Sequence, residues 1–286
     1  MLPLATRQAG AETASARGHW LDIAHHWHQV GAPLRPSAQD VASYTDLIGQ
    51  WAAVHGAPRA LILGVTPELY RLPWPAGSEL TAVDHTVAMI EAVWPGPRSA
   101  AVHAEWTDLP FTAASFDIVL CDGGWHLLSY PHDQRCLLDE LRRIVPPDGL
   151  CIMRLFVPPV QPETPAAVLH DLLRGAMPNL NILKLRLGMA LQVSRECGVL
   201  LADVWQALHQ AAPDFVRLAD QLGWSLAHLL AVNSYRDCPS RYHFVSVAEV
   251  REQFTEQPGG FSFVDCRMPT YALGERCPVV AFRRRA

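Results

Sequence analysis

Arg59-Ala-Leu-Ile-Leu-Gly64 and Leu80-Thr-Ala-Val-Asp84 decide how this chain reads. Each is a short apolar run suited to a strand buried on both faces. The first stops at a glycine and the second at a carboxylate. A glycine lets the backbone turn sharply and approach a ligand. An acid ending the next strand, about 20 residues on, can accept hydrogen bonds from both hydroxyls of a ribose. Gly64 and Asp84 are therefore the two halves of an expected nucleoside site, with His85 directly beside the acid.

The grammar continues downstream. Ala104-Glu-Trp-Thr-Asp-Leu-Pro-Phe111 is followed by the strand pattern Ser115-Phe-Asp-Ile-Val-Leu-Cys121 and an amphipathic helix around Leu137 to Val145. Pro146-Pro-Asp-Gly149 then turns into a strand from Leu150 to Phe156. In this order the segments resemble the class I methyltransferases that use S-adenosylmethionine. Those sequences carry an acid before Leu-Pro-Phe, a Phe-Asp before the fourth strand and a Pro-Gly turn before the fifth. The close resemblance spans about 100 residues, from Arg59 to Phe156, and Phe261–Cys266 and Cys277–Phe282 supply a final strand hairpin. It implies an α/β fold: a doubly wound, Rossmann-like sheet, mostly parallel with the last strand antiparallel, carrying an N-terminal helical cap and a helical insertion.

The resemblance also assigns roles. S-adenosyl-L-methionine is the implied cofactor, with Asp84 on the ribose and Glu105 accepting from the adenine amino group. Trp106 would lie at the base, and Met89 would pack near the adenosine. Asp122, in Asp122-Gly-Gly124, is placed for the methionine amine, and His126 for a general base, since an unperturbed imidazole titrates near neutrality. The first loop departs from the family's Gly-x-Gly-x-Gly, reading Leu61-Ile-Leu-Gly-Val-Thr-Pro-Glu68. Gly64 alone is retained, Thr66 can still offer a backbone N–H and a hydroxyl, and Pro67-Glu68 reads as a helix's first turn. That departure leaves two readings open, an active methyltransferase or a binding protein of the same fold without catalysis. A nicotinamide dehydrogenase shares the strand-glycine-acid pattern, but the chain has neither Gly-x-Gly-x-x-Gly nor Tyr-x-x-x-Lys.

Composition sets the outer bounds. The chain has 286 residues, half of them hydrophobic, enough for one α/β core with additions. A net charge of −5 argues against a nucleic-acid surface. Seven cysteines without a Cys-x-x-Cys indicate neither a disulfide framework nor a metal ribbon, and no apolar run approaches the ~18 residues of a membrane span. With no secretory leader evident, the expectation is a cytoplasmic protein acting on a small molecule, with no nucleic-acid or membrane partner, no metal and an oligomeric state the sequence does not indicate.

Punctuation gives the organisation. Residues 1–55 read as the cap: an Ala-rich stretch expected to fray, a helix from Trp20 to Val30, the Pro33-Leu-Arg-Pro36 turn and a helix capped by Ser37 with Asp40 in its first turn. Residues 56–157 and 240–286 form the expected core, and 158–239, opening on a Pro-rich linker and continuing with helical periods, the expected lid. Arg35, rigidly held between prolines, could clamp a carboxylate. His25 and His28 lie one helical turn apart and read as a solvated or substrate-lining face, because two ligands do not complete a metal site. Tyr271 is expected near the terminal hairpin as acceptor lining.

Overall fold

The computed structural model describes residues 19–256 and 260–286, so the fraying expected of the first residues lies outside the described part. Strands β1 (Arg59–Leu63), β2 (Glu79–Asp84), β3 (Ala101–His103), β4 (Ile118–Asp122) and β5 (Leu150–Arg154) pair in parallel. After β6 (Val199–Leu200) and β7 (Arg241–Tyr242), which form a small ladder of their own, β8 (Phe261–Arg267) and β9 (Val279–Arg284) complete the main sheet. Its order is β3-β2-β1-β4-β5-β9-β8, with β9 antiparallel to both neighbours. This is the doubly wound arrangement expected from the sequence.

Alternation within the strands builds three layers. Leu61 and Leu63 of β1 face one side, where they meet Leu137, Leu141 and Ile144 of α5 (His132–Ile144) and Val250 and Phe254 of α11 (Val247–Thr255). Ala60 and Ile62 face the other, against Tyr44, Leu47, Ile48 and Trp51 of α2 (Ala38–His55) and Met89, Ile90 and Val93 of α4 (Val87–Val93). Because both faces are covered, the central strands read as continuous apolar runs rather than as alternating ones. The helix α2, which the sequence placed in a cap, thus covers one face of the sheet itself.

Capping fixes the helix starts. Ser37 and Asp40 form a reciprocal capping box on α2, and Ser246 and Glu249 do the same on α11. Pro67 opens the one-turn helix α3 (Pro67–Tyr70) directly after the first loop. Ahead of α2, α1 covers residues 19–25 and gives way to a 3-10 turn at Trp27–Gln29, shorter than the sequence pattern suggested.

The insertion has its own apolar cluster. It comprises α6 (Pro165–Leu173), α7 (Leu180–Leu191), α8 (Leu201–Ala211), α9 (Phe215–Leu222) and α10 (Leu226–Leu230), whose buried faces meet Phe156 and Cys277 of the core. The continuous helical period from Phe215 to Leu230 is broken in the structure at Gly223. Its left-handed φ of 67° ends α9, and Trp224 N–H returns to the carbonyl of Ala219 at 3.0 Å.

Candidate functional site

A cavity of about 420 Å³ opens at the carboxyl ends of β1, β2 and β4, the place where strand order reverses. Its volume lies within the ~300–1,000 Å³ typical of small-molecule sites. Gly64, Thr66, Asp84, His85, Met89, Glu105, Trp106, Asp122 and His126, all singled out from the sequence, line it together. The opposite wall comes from Trp20 and Ile23 of α1, Leu185 and Gly188 of α7, Leu201 and Val204 of α8, and Tyr235, Tyr242 and Phe244. One space is therefore lined by acids and glycines at the strand ends and, from α1, the insertion and the segment after it, largely by aliphatic and aromatic side chains together with Lys184 and Arg241.

Asp84 ends β2 with 8 % of its surface exposed. Its Oδ1 accepts from the Thr86 N–H at 2.8 Å, and no hydrogen bond among the described residues engages Oδ2. Burial raises its carboxyl above the usual range, opposed by the Thr86 N–H and by His85 and His103. A carboxylate in this condition is stabilised by any ligand that donates hydrogen bonds to it. Gly64 provides the turn, with φ of 89° and its N–H on the carbonyl of Val83 at 2.8 Å.

Trp106 accounts for much of the irregular first loop. Its indole N–H donates to the Val83 carbonyl at 3.0 Å, and the ring lies against two glycines. A Cβ on Gly64 would stand 3.7 Å from it, and one on Gly124 would press within 2.8 Å of it and 2.6 Å of Cys121 Sγ. Gly124 therefore has to be glycine to seat this indole. The space that glycine backbone leaves open at the ends of β1 and β4 is floored by an aromatic ring.

Asp122 lines the cavity from the end of β4 while accepting twice from Arg154, at 2.6 Å from Nε and 3.1 Å from Nη2. Arg154 is fully buried and is the centre of a network. It donates to the Pro33 carbonyl at 2.6 Å and to the Tyr271 hydroxyl at 3.3 Å, and it stands 3.6 Å from Asp40. Tyr271 donates to Asp40 at 3.1 Å, and the Tyr44 hydroxyl joins the Arg154 N–H to the Cys121 carbonyl. Tyr271 thus serves this network and is not among the cavity's lining residues. Burial pushes the Asp122 carboxyl up, and the Arg154 guanidinium opposes that shift.

The remaining sequence candidates lie elsewhere. Arg35 does not line the cavity: its Nε donates to Glu68 at 2.9 Å and its guanidinium lies over the Trp27 ring at 5.1 Å, so it steadies an indole of the wall. His25 and His28 are exposed and are not among the lining residues. Sequence reading missed Arg154, whose signal was a charge at the end of the apolar run Leu150–Arg154. It also missed Lys184 of α7, which lines the cavity and is the single lysine among 23 lysine and arginine residues.

His126 is 4 % exposed, stacked on Phe244 with centroids 5.2 Å apart and edge-on to Tyr242. Its Nδ1 is buried without a hydrogen-bond partner. Burial, with help from His243, lowers it to about 3, so it is a neutral donor-acceptor pair at physiological pH. His19, also buried, is lowered to about 4. Both folded values lie below the unfolded ~6.5, so the stability these neutral rings contribute is complete above pH ~6.5. It is lost as pH falls toward the folded values, at up to ~1.4 kcal/mol per pH unit for each ring. We expect denaturant unfolding at pH 7, 5.5 and 4.5 to show this decline and His126→Phe to flatten it; an unchanged slope in the variant would mean that His126 is not held neutral.

Among the described residues no helix is long and apolar enough to cross a membrane, and no group of three His, Cys, Asp or Glu could hold a metal ion. Residues 63–153 match the family model described as "Methyltransferase domain". No curated protein matches the chain in sequence. Among solved structures, it resembles one titled a putative Zn-dependent alcohol dehydrogenase from Rhodobacter sphaeroides at TM-score 0.59 and 14% identity, covering 95% of this chain and 98% of that one. It also resembles the Burkholderia thailandensis 1,6-didemethyltoxoflavin-N1-methyltransferase, solved with its substrate and S-adenosylhomocysteine, at TM-score 0.53 and 15% identity over 100% of this chain and 93% of that one. At these identities the likeness is one of fold.

Proposed function

We propose that this chain, a member of the class I S-adenosylmethionine-dependent methyltransferases, transfers a methyl group from that cofactor to a small, largely apolar acceptor enclosed by its insertion. The observation that carries the reading is one cavity with two chemically distinct halves. Acids and a glycine turn stand at the strand ends, and aromatic and aliphatic side chains stand opposite. The residues fit the cofactor: Asp84 has an unengaged carboxylate oxygen at the end of β2, and Gly64 holds the positive φ that brings backbone close to a ligand.

In this reading Asp84 accepts from the ribose hydroxyls and Glu105 from the adenine amino group. Met89 packs near the adenosine, with His85 at its rim. Trp106 replaces the absent glycines as an aromatic floor, so the ligand lies on an indole where related loops offer bare backbone. Thr66 and Asp122 face the methionine half, the carboxylate of Asp122 kept in place by Arg154. His126, neutral and with Nδ1 unpartnered, accepts a hydrogen bond from the acceptor. The sulfonium supplies an already activated methyl group, so the protein's task is alignment and exclusion of water, which can contribute ~7 kcal/mol or more. The insertion, residues 158–239, and α1 do this by closing over the acceptor half; the cytoplasm suits such an activity.

A second reading, binding without transfer, is favoured by one observation: the indole of Trp106 occupies the space over Gly64. Calorimetry with S-adenosylmethionine and S-adenosylhomocysteine separates the cases when paired with methyl-labelled cofactor and a panel of small apolar acceptors. We expect both ligands to bind within roughly the 1 μM to 1 mM range of ordinary enzyme affinities, and label to reach an acceptor. Binding without label transfer across the panel favours the second reading, and absence of binding overturns both.

A further inference from the structure

Lys184 projects from α7 to line two cavities, the one described above and a second of about 420 Å³ between α1, α7 and α10. All the other basic residues of lysine or arginine type are arginines. Lys184 makes no hydrogen bond or ion pair among the described residues; its ammonium lies 4.7 Å from the centre of the Tyr235 ring. Burial lowers it to about 8. The acids of the first cavity, Asp84, Glu105, Asp122 and Asp133, belong to the strand-end side, and the second cavity's Asp22 is exposed and forms no ion pair with it.

An ammonium taken from water without an anion carries a large desolvation cost. The surrounding groups do not offset it. Trp27 Nε1, on the first cavity, and His228 Nε2, on the second, are buried without hydrogen-bond partners. Three nitrogens therefore line the two cavities without an ion-pair or hydrogen-bond partner among the described residues, and Lys184 is the one shared by both cavities.

We propose that Lys184 is the specificity residue for the acceptor, pairing with an acidic oxygen, a carboxylate or phenolate, carried on an apolar and flat body. The inference rests on the reading of the first cavity, the one at the strand ends, as the acceptor pocket. The aromatic wall of Phe156, Tyr235, Tyr242 and Phe244 holds the flat part. The ammonium holds the anionic end, away from the strand ends, and so sets which way the acceptor faces the methyl donor. Arginine, with its wider and rigid fork, would fill this narrow apolar site less well than a single compact charge.

The test uses 2-naphthoate as probe, with 2-naphthamide as its uncharged match, on the full chain and on Lys184→Met. Wild type should bind naphthoate at least tenfold more tightly than naphthamide, and Lys184→Met should bind the two alike. The variant should also be no less stable than wild type, since the half-buried charge it removes has no anionic partner among the described residues, whereas a purely structural lysine would leave it destabilised. Because the chain has one lysine, ¹³C-reductive methylation places one labelled side-chain amine in the protein. Its titration midpoint should rise when naphthoate binds and stay fixed with naphthamide. Equal affinity for the two probes in wild type, a preference that survives in Lys184→Met, or an amine that does not respond to naphthoate overturns the proposal. S-adenosylhomocysteine affinity, measured alongside, should be unchanged in the variant. Its absence in wild type would sink the methyltransferase reading while leaving the naphthoate result to stand or fall separately.

Discussion

Arg154→Met is expected to lower the free energy of unfolding at pH 7 by about 3 to 5 kcal/mol, the range for breaking a buried ion pair from one side. The guanidinium is fully buried and holds Asp122 at 2.6 Å and 3.1 Å, with Asp40 3.6 Å away. Removing it leaves two buried carboxyls without a counter-charge, and the Pro33 carbonyl and Tyr271 hydroxyl without a donor. The loss should depend on pH in a definite direction. Burial already pushes the Asp122 carboxyl up, and the variant deletes the charge that opposes it. A carboxyl whose folded value exceeds its unfolded one binds protons more strongly in the folded state, so its contribution to stability falls as pH rises. Arg154→Met should therefore recover part of its stability as pH falls from 7 and the raised carboxyl regains its proton. Denaturant unfolding at several pH values reads this directly, and a loss independent of pH would show that Asp122 does not stay buried and charged.

How legible this molecule was from its sequence follows the range of the interactions involved. The strands Arg59–Leu63 and Ile118–Asp122 could be read because burial on both faces leaves a local signature, and the cap at Ser37 because a capping box spans four residues. The same holds for the acid at the end of β2, whose position along one strand fixes where its side chain emerges. The Arg154 network could not be read. Its members are Pro33, Asp40, Tyr44, Asp122 and Tyr271, which the fold alone brings together. Arg35 illustrates the same limit, since its availability depends on Glu68, 33 positions away, which takes up its guanidinium. Lys184 is intermediate: its singularity is visible in composition, but its inward direction depends on how α7 packs.

The first loop shows how a sequence departure is absorbed by structure. With Gly64 alone retained, Val65 and Thr66 run directly into the Pro67 helix, and the chain does not wrap around an open space. Trp106 fills that space from β3's side and is tied to β2 through the Val83 carbonyl. The indole of one loop thus packs where the other loop carries a single glycine, and it closes the crevice from below.

That arrangement concentrates the expected cofactor affinity on Asp84. Asp84→Ala should weaken S-adenosylhomocysteine binding by about 2 to 3 kcal/mol, roughly 30- to 150-fold, as a pair of charge-assisted hydrogen bonds is lost. The variant also frees the Thr86 N–H that Oδ1 accepts at 2.8 Å, a folding cost of ~1 kcal/mol that must be measured separately by thermal unfolding. Asp84→Asn divides the effect. It keeps the side chain's size and a carbonyl acceptor but removes the charge, and it should fall between wild type and alanine. Naphthoate binding at Lys184 should be unaffected by either change, since Lys184 belongs to α7 of the insertion and Asp84 to the end of β2. If Asp84→Ala binds the adenosyl ligand as wild type does, the ribose is not at the end of β2. Glu105, an acid that also lines the cavity, would then be the residue to test as its anchor.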